Sequence, residues 1–349
     1  MKTISALLIC CVAGTTTHAQ SSIEKSSAVS VDPDGTMHVP SHAVPMSSYM
    51  SEEAKDFYRR SNSVLTSEGR NNPSSWTGDL DVMETAKSTY PVLLEERIFG
   101  GVRTDVVVPK EGIAPQNRTR VLINLHGGGF ECSRDLQLVE SIPIASTAKI
   151  KVISVDYRCA PEFKYPAATE DVAAVYKELL KQYKPPNIGI YGCSAGGILA
   201  VQSVAWFIKE GLPLPGAIGV FCQADAIGGG DSSYSAPQVV SAIPPASPNP
   251  PAQKESYFKG VDLKDSLASP TLHPDLLRSF PPTLLITGTR DPGESSVIYA
   301  HSQLVKAGVD AELHVWEGMG HNFFFFVRLP ESKEMFNVTA RFFDAHLGK

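Results

Sequence analysis

The six residues Gly192-Cys193-Ser194-Ala195-Gly196-Gly197 set a serine among small neighbours. They follow an apolar run, Ile188-Gly189-Ile190-Tyr191, and precede Ile198-Leu199-Ala200-Val201, which continues at helical spacing through Trp206. Strand, tight turn and helix is the context in which a G-x-S-x-G match carries nucleophilic chemistry. A serine at the apex of such a turn sits at a sparsely populated backbone angle, its hydroxyl lifted clear of the sheet. Gly192 and Gly196 lack the Cβ atoms that would collide as strand and helix close on it. The helix then begins under Ser194, so its first N–H groups and its dipole favour an anion just above.

A serine hydroxyl needs a base, and the base an orienting carboxylate. In a sheet of alternating strands and helices, only loops at the carboxyl ends of strands reach the serine. His301 falls within a helical segment, His314 within a strand, His346 in the last helix and His273 in a long proline-rich stretch. His321 follows the strand Ala311–Trp316 through Glu317-Gly318-Met319-Gly320, on the correct edge. Asp291 follows the strand Thr283–Thr287 on that same edge, whereas Asp310 belongs to the opposite one. Glu317 is a weaker competitor for the acid, being too near His321 along the chain. His126-Gly127-Gly128-Gly129-Phe130 directly follows another strand. Amides of Gly127, Gly128 and Gly129, with that of Ala195, can surround the oxyanion of a tetrahedral intermediate.

The elements that must position these groups alternate. Leu93–Phe99 and Thr104–Pro109 read as an antiparallel hairpin around Gly100-Gly101. Strands are expected at 120–125, 151–155, 188–191, 217–222, 283–287 and 311–316. Helices are expected at 52–60, 82–88, 168–183, 198–206, 297–307 and 331–347. Such alternation means a mostly parallel sheet covered by helices on both faces. The organisation expected is a leader at 1–19, a lead-in and cap segment at 20–90, a catalytic domain at 91–224 and 281–349, and a cap insertion at 225–280. The insertion holds Gly228-Gly229-Gly230, Pro244-Pro245 and Pro250-Pro251, and a loop that long inside a domain is usually functional.

The 349 residues are 42% hydrophobic with a net charge of −6. That leaves no broad basic surface for nucleic acid or an anionic membrane. No apolar run approaches the roughly 18 residues of a membrane span. Lys2, the apolar stretch Ile4–Val12 and Thr17-His18-Ala19 have the form of a secretory signal peptide cleaved after Ala19. Export to the periplasm or the medium is therefore expected, the alternatives being an uncleaved anchor or a lipidated Cys10 or Cys11. Cleavage would leave Cys132, Cys159, Cys193 and Cys222, too few for a disulfide framework in so long a chain. Cys193 and Cys222 end successive strands and are expected to touch beneath Ser194, as inert thiols, as a bridge or in an accessory role near the hydroxyl. His38 and His42 flank Pro40, and neither C-x-x-C nor H-E-x-x-H occurs, so a metal enzyme is not expected.

Taken together, H-G-G-G-F at 126–130, D-Y-R-C-A-P-E at 156–162, G-C-S-A-G-G at 192–197, R-D-P-G-E at 290–294 and G-M-G-H-N-F at 318–323 resemble the hormone-sensitive lipase family of α/β-hydrolases, its bacterial esterase branch in particular. The resemblance implies an α/β-hydrolase fold with a helical cap, nucleophile Ser194, acid Asp291 and base His321. It implies an oxyanion hole from the glycine loop and Ala195, with Gly128 and Gly129 the main loop donors, and no cofactor. The activity it implies is hydrolysis of short- to medium-chain acyl esters of small molecules; an amidase, a longer-chain lipase or a non-catalytic binding protein on the same fold are the alternatives. A homo-oligomer is compatible with all of these. Two residues depart from the family pattern: Cys193 stands where Asp or Thr is common, and Gly293 where Leu often follows Asp-Pro. Tyr157, Arg158 and Glu162 are expected to brace the glycine loop, and Phe323–Phe326 to be mostly core.

Overall fold

Side chains that alternate along a strand sort the apolar residues onto two sides of one sheet. In strand β5 (Val121–Leu125), Val121, Ile123 and Leu125 join one core cluster while Leu122 joins another. The computed structural model describes residues 29–40, 43–67, 82–131, 134–235 and 257–349. The expected leader at 1–19 and residues 236–256 of the expected insertion lie outside these. The chain divides into two units, Met1–Pro45 and Met46–Lys349. In the first, β1 (Ser30–Val31) and β2 (Met37–His38) form a small antiparallel, solvent-exposed hairpin.

The second unit is built on an eight-stranded sheet. Besides β5 it contains β3 (Val92–Phe99), β4 (Val102–Pro109), β6 (Lys151–Val155), β7 (Ile188–Cys193), β8 (Ala217–Phe221), β9 (Thr283–Arg290) and β10 (Ala311–Gly320), in the order β10-β9-β8-β7-β5-β6-β4-β3. All pairings are parallel except β3 with β4 and β4 with β6. The central parallel strands read as continuous apolar runs because they are covered twice.

Helices α4 (Ala167–Leu179), α5 (Ala195–Lys209) and α8 (Glu294–Ala307) contribute to the core on one face. On the other lie α1 (Glu52–Ser67), α2 (Val82–Thr89), α3 (Arg134–Ala148) and α9 (Pro330–His346). Two short helices, α6 (Asp231–Ser235) and α7 (Pro274–Leu277), lie on either side of 236–256.

Helix α3 has no counterpart among the expected elements. Residues 139–145 are buried without interruption, so it shows no 3.6-residue polar stripe, and Pro143 lies inside it. A helix hydrophobic all round leaves no amphipathic signature. Strands β9 and β10 also run further than the apolar pattern suggests. Their pairing continues to Gly320 opposite Arg290, across an irregularity after Trp316, which delivers Asp291 and His321 to the same edge.

Helix α1 and the turn before it belong to the second unit. Phe57 of α1 lies 4.0 Å from the Phe326 ring, the Ser51 amide donates to the Glu331 carboxylate, and the Tyr58 hydroxyl accepts the Gly320 amide at 2.9 Å. Helix α1 thereby supports the loop that carries His321. Phe323, Phe324 and Phe325 are buried in the core, as expected of such a run.

Candidate active site

Ser194 follows β7 directly and caps α5, with φ 58° and ψ −120°. No side chain adopts that region without cost, and packing must over-determine it. The surroundings do so. A Cβ on Gly192 would lie 2.3 Å from the Leu125 carbonyl oxygen, and one on Gly196 only 1.8 Å from the same atom. Strand β5 thus presses against both sides of the turn. The Ser194 amide donates to the Phe221 carbonyl at 2.9 Å. Ala195 begins the helix, so its own N–H has no carbonyl within α5 to bond.

The carboxylate of Asp291 is fully buried. Its Oδ1 accepts the Gly293 amide at 2.8 Å and lies 2.8 Å from His321 Nδ1. Its Oδ2 accepts the Thr287 hydroxyl at 3.2 Å. Because a carboxylate only accepts, Nδ1 of His321 carries the proton and Nε2 is left as the basic nitrogen. Burial alone would lower the pKa of this imidazole, but the charge of Asp291 and its hydrogen bond outweigh burial and hold it above the ordinary histidine value.

The serine turn and the histidine loop are tied together by their neighbours. The thiol of Cys193, one residue before Ser194, donates to Asn322 Oδ1 at 2.6 Å, one residue after His321. Cys193 and Cys222 are both free and buried, and each thiol is close enough to shift the other's ionisation. The expected contact is therefore present, without a bridge. Burial pushes the Cys193 thiol well up and that of Cys222 up to about 11, so neither is a thiolate at neutral pH. A ligand atom each from Cys222, Asp291 and His321 falls within 4.8 Å of the others. Here the His–Asp contact is a hydrogen bond and the third member a protonated thiol, an arrangement that orients an imidazole rather than holding a metal.

The glycine loop departs from β5 beside the turn. Gly128, Gly129 and Phe130 have φ of 111°, 67° and 64°, the left-handed region that glycine enters at no steric cost. A Cβ on Gly127 would fall 3.4 Å from the Ser194 Cβ, which puts the loop in contact with the nucleophile. The amide of Gly127 itself, however, donates to Glu140 Oε1 at 3.3 Å. It faces the interior, so of the four amides expected at the cradle this one is engaged by Glu140. The loop is braced by Tyr157, whose hydroxyl donates to the His126 carbonyl at 2.6 Å and whose ring stacks on His126 at 4.2 Å. The His126 imidazole is held below its ordinary pKa by burial. Its Nδ1 lies 2.7 Å from the Gly127 carbonyl, so that nitrogen is the donor. Of the other expected braces, Arg158 instead binds Asp171 of α4, and Glu162 is exposed. Beyond the loop, Phe130 stacks on Tyr257 at 4.5 Å and meets Phe258 edge-on at 5.2 Å, so the far side of the insertion covers the loop's end.

Asn322, Thr287, Tyr58, Asn124 and Glu140 support these groups, and none stood out in the sequence. Asn322 lies inside the G-M-G-H-N-F stretch, which does not say what its side chain binds; each of the others is a single polar residue in a run with no motif around it. Gly293, by contrast, was visible as a departure, and its reason is steric. A Cβ there would lie 1.9 Å from the Cys222 carbonyl oxygen. Restoring the family's side chain with Gly293→Leu should overpack this site, at a cost of about 1–3 kcal/mol or more. It should also pull the 293 amide off Asp291. Thermal melting with circular dichroism should show a lowered Tm; an unchanged Tm would mean that the backbone around Cys222 yields freely.

Comparison with known proteins agrees with this geometry. A family model described as alpha/beta hydrolase fold matches residues 122–325. An acetyl-hydrolase of Streptomyces hygroscopicus is 29% identical over 236 residues, covering 66% of this chain and 77% of that protein. A versiconal hemiacetal acetate esterase of Dothistroma septosporum is 29% identical over 229 residues, 61% of this chain and 69% of that one. Among solved structures, an esterase superposes with a TM-score of 0.77 at 29% identity, over 89% of this chain and 99% of its own. An esterase from the bacterial hormone-sensitive lipase family does so with a TM-score of 0.73 at 26% identity, over 85% and 99%. With the sheet order, the strained serine turn and the buried Asp–His pair, these matches establish that the chain belongs to the α/β-hydrolase family, on its bacterial hormone-sensitive-lipase-type esterase branch.

Proposed function

We propose that the protein is an exported serine carboxylesterase acting on short- to medium-chain acyl esters of small molecules. The observation that carries this reading is the pair of hydrogen bonds that join Asp291 to His321 and the residue after His321 to the residue before Ser194. Ser194 attacks the ester carbonyl while His321 Nε2 takes its proton, and Asp291 steadies the imidazolium that forms. Amides of Gly128, Gly129 and Ala195 hold the oxyanion. His321 returns the proton to the leaving alcohol, then activates water to release the acid. Each step needs only this chain's own groups.

The short-chain preference rests on the resemblance to that branch and on the printed names of two relatives, one an acetyl-hydrolase and the other an acetate esterase. Export is supported by the leader-like N-terminus and by a disulfide at Cys159, a bond favoured in oxidising compartments. The test is a series of p-nitrophenyl esters from acetyl to palmitoyl, beside an anilide, on purified mature protein. Acetyl and butyryl esters should give the highest kcat/KM, falling by about 10-fold or more at octanoyl, the scale a pocket exerts on added methylenes. A maximum at palmitoyl would make the enzyme a lipase, and comparable anilide turnover an amidase.

A further inference from the structure

Helix α3, the element with no periodic signature, carries a carboxylate with no obvious reason to be there. Glu140 is fully buried, and an acidic side chain in that position is costly unless its oxygens are satisfied. They are satisfied by three donors from three segments. Oε1 accepts the Gly127 amide at 3.3 Å, Oε2 accepts Asn124 Nδ2 at 3.1 Å, and the Cys193 amide also donates to this carboxylate. Asn124 Oδ1 accepts the Ser154 hydroxyl at 3.0 Å, which turns its NH₂ toward Glu140.

Two of these donors are placed with purpose. Gly127 immediately precedes the amides assigned to the oxyanion, and Cys193 immediately precedes the nucleophile. One carboxylate therefore joins the two halves of the active site from below. We propose that Glu140 is a positioning residue that fixes the oxyanion loop relative to the serine turn, acting through the Gly127 and Cys193 amides without touching substrate. This proposal rests on the esterase reading of the site.

The three partners are all donors, so the pocket suits an acceptor with no hydrogen of its own. A carboxylate meets that requirement, whereas a protonated acid brings an O–H into a ring of N–H groups. A glutamine brings an NH₂ group and must aim it at one of the donors. The groups that sense this charge are Tyr157 from the loop after β6, Tyr191 and Cys193 from β7, and Cys222 after β8; none is a cation. Burial accordingly pushes the Glu140 carboxyl up to about 8, against the pull of Asn124 and the two amides. Ionisation of Glu140 tightens the loop, so turnover should rise with pH through that step, separately from the ionisation of His321.

The experiment measures kcat and KM for p-nitrophenyl butyrate between pH 6 and 10 in wild type, Glu140→Gln, Glu140→Asp and Asn124→Ala. Misplacement of a loop by a fraction of an ångström to 1 Å costs up to about 100-fold. Glu140→Gln should lose about 10- to 100-fold in kcat, with KM changed by no more than about 2-fold, and should lack the more alkaline of the two ionisations in the wild-type kcat profile. Asn124→Ala removes one donor and should move that ionisation to higher pH while keeping most of the alkaline plateau. Glu140→Asp should retain it with a reduced plateau. Wild-type kcat in Glu140→Gln at every pH, or an unchanged profile in Asn124→Ala, would overturn the proposal. Should Glu140→Gln fail to fold, the Asn124→Ala and Glu140→Asp profiles decide. Failure of the esterase reading is distinguishable, because wild type itself would then turn over none of the esters.

Discussion

Replacing Ser194 by alanine should lower turnover of a short-chain aryl ester by about 10⁴-fold or more and abolish labelling by a fluorophosphonate. Alanine keeps the Cβ that stands beside Gly127 and pays the same backbone cost at φ 58°, so the variant should fold with a near-unchanged Tm. What it loses is the oxygen proposed to form the acyl-enzyme bond. The cradle and the Asp–His pair remain, and in hydrolases of this kind such remnants leave a modest rate over water. Steady-state assays with circular dichroism on the same preparations check both halves of the expectation. Retained hydrolysis and retained labelling in a folded Ser194→Ala protein would mean that another nucleophile operates.

The sequence was most legible where chemistry requires particular small residues. The serine turn, the glycine loop and the two strand-end loops all announce themselves, because only glycine tolerates contacts such as the 1.8 Å approach at position 196. The sheet was legible for a different reason: doubly covered parallel strands must be apolar along their length. Legibility ended where a residue's meaning depends on elements distant in the chain. Glu140 reads as an ordinary surface glutamate until residues 139–145 of α3 are seen to be buried without interruption. Gly127 reads as one of three equivalent glycines until its amide is found pointing at Glu140. The Cys193–Cys222 contact followed from strand adjacency, but its state as two free thiols did not. The ends of β9 and β10 were missed because glycines 288, 318 and 320 dilute the apolar pattern, while backbone pairing continues regardless.

The departure at Cys193 acquires a role from this placement. A thiol is small enough to fit under the turn with no exposed surface, and it still donates to Asn322. Asn322 sits in the left-handed region at φ 58° and ends the loop that presents His321. The side chain commonly charged or hydroxylated in relatives is therefore replaced by a neutral donor that fastens base loop to nucleophile turn. Its raised pKa keeps it a donor throughout the range in which the enzyme would work.

Asp291→Asn should be nearly as damaging as loss of the serine, at about 10⁴-fold in kcat, and by a separable route. Asp291 accepts from His321, the Gly293 amide and Thr287, so every neighbour in the native site is a donor. An asparagine has one acceptor to offer in place of two. If its oxygen stays on the Gly293 amide, its NH₂ faces the imidazole or the Thr287 hydroxyl. Where it faces Nδ1, that nitrogen must accept, and the proton moves to Nε2, where it blocks attack by Ser194. The pH profile carries a second signature. The charge of Asp291 and its hydrogen bond hold the His321 pKa up against burial. The acid limb of kcat/KM in wild type, which follows deprotonation of His321, should therefore have its midpoint above 6.5, the ordinary imidazole value. Removing the charge leaves burial unopposed, so in Asp291→Asn the midpoint of the residual activity should shift to lower pH. Proton NMR of the His321 ring would read the same shift directly. A variant with near-wild-type kcat, or one whose acid limb moves to higher pH, would show that Asp291 is not the partner that orients and charges the base.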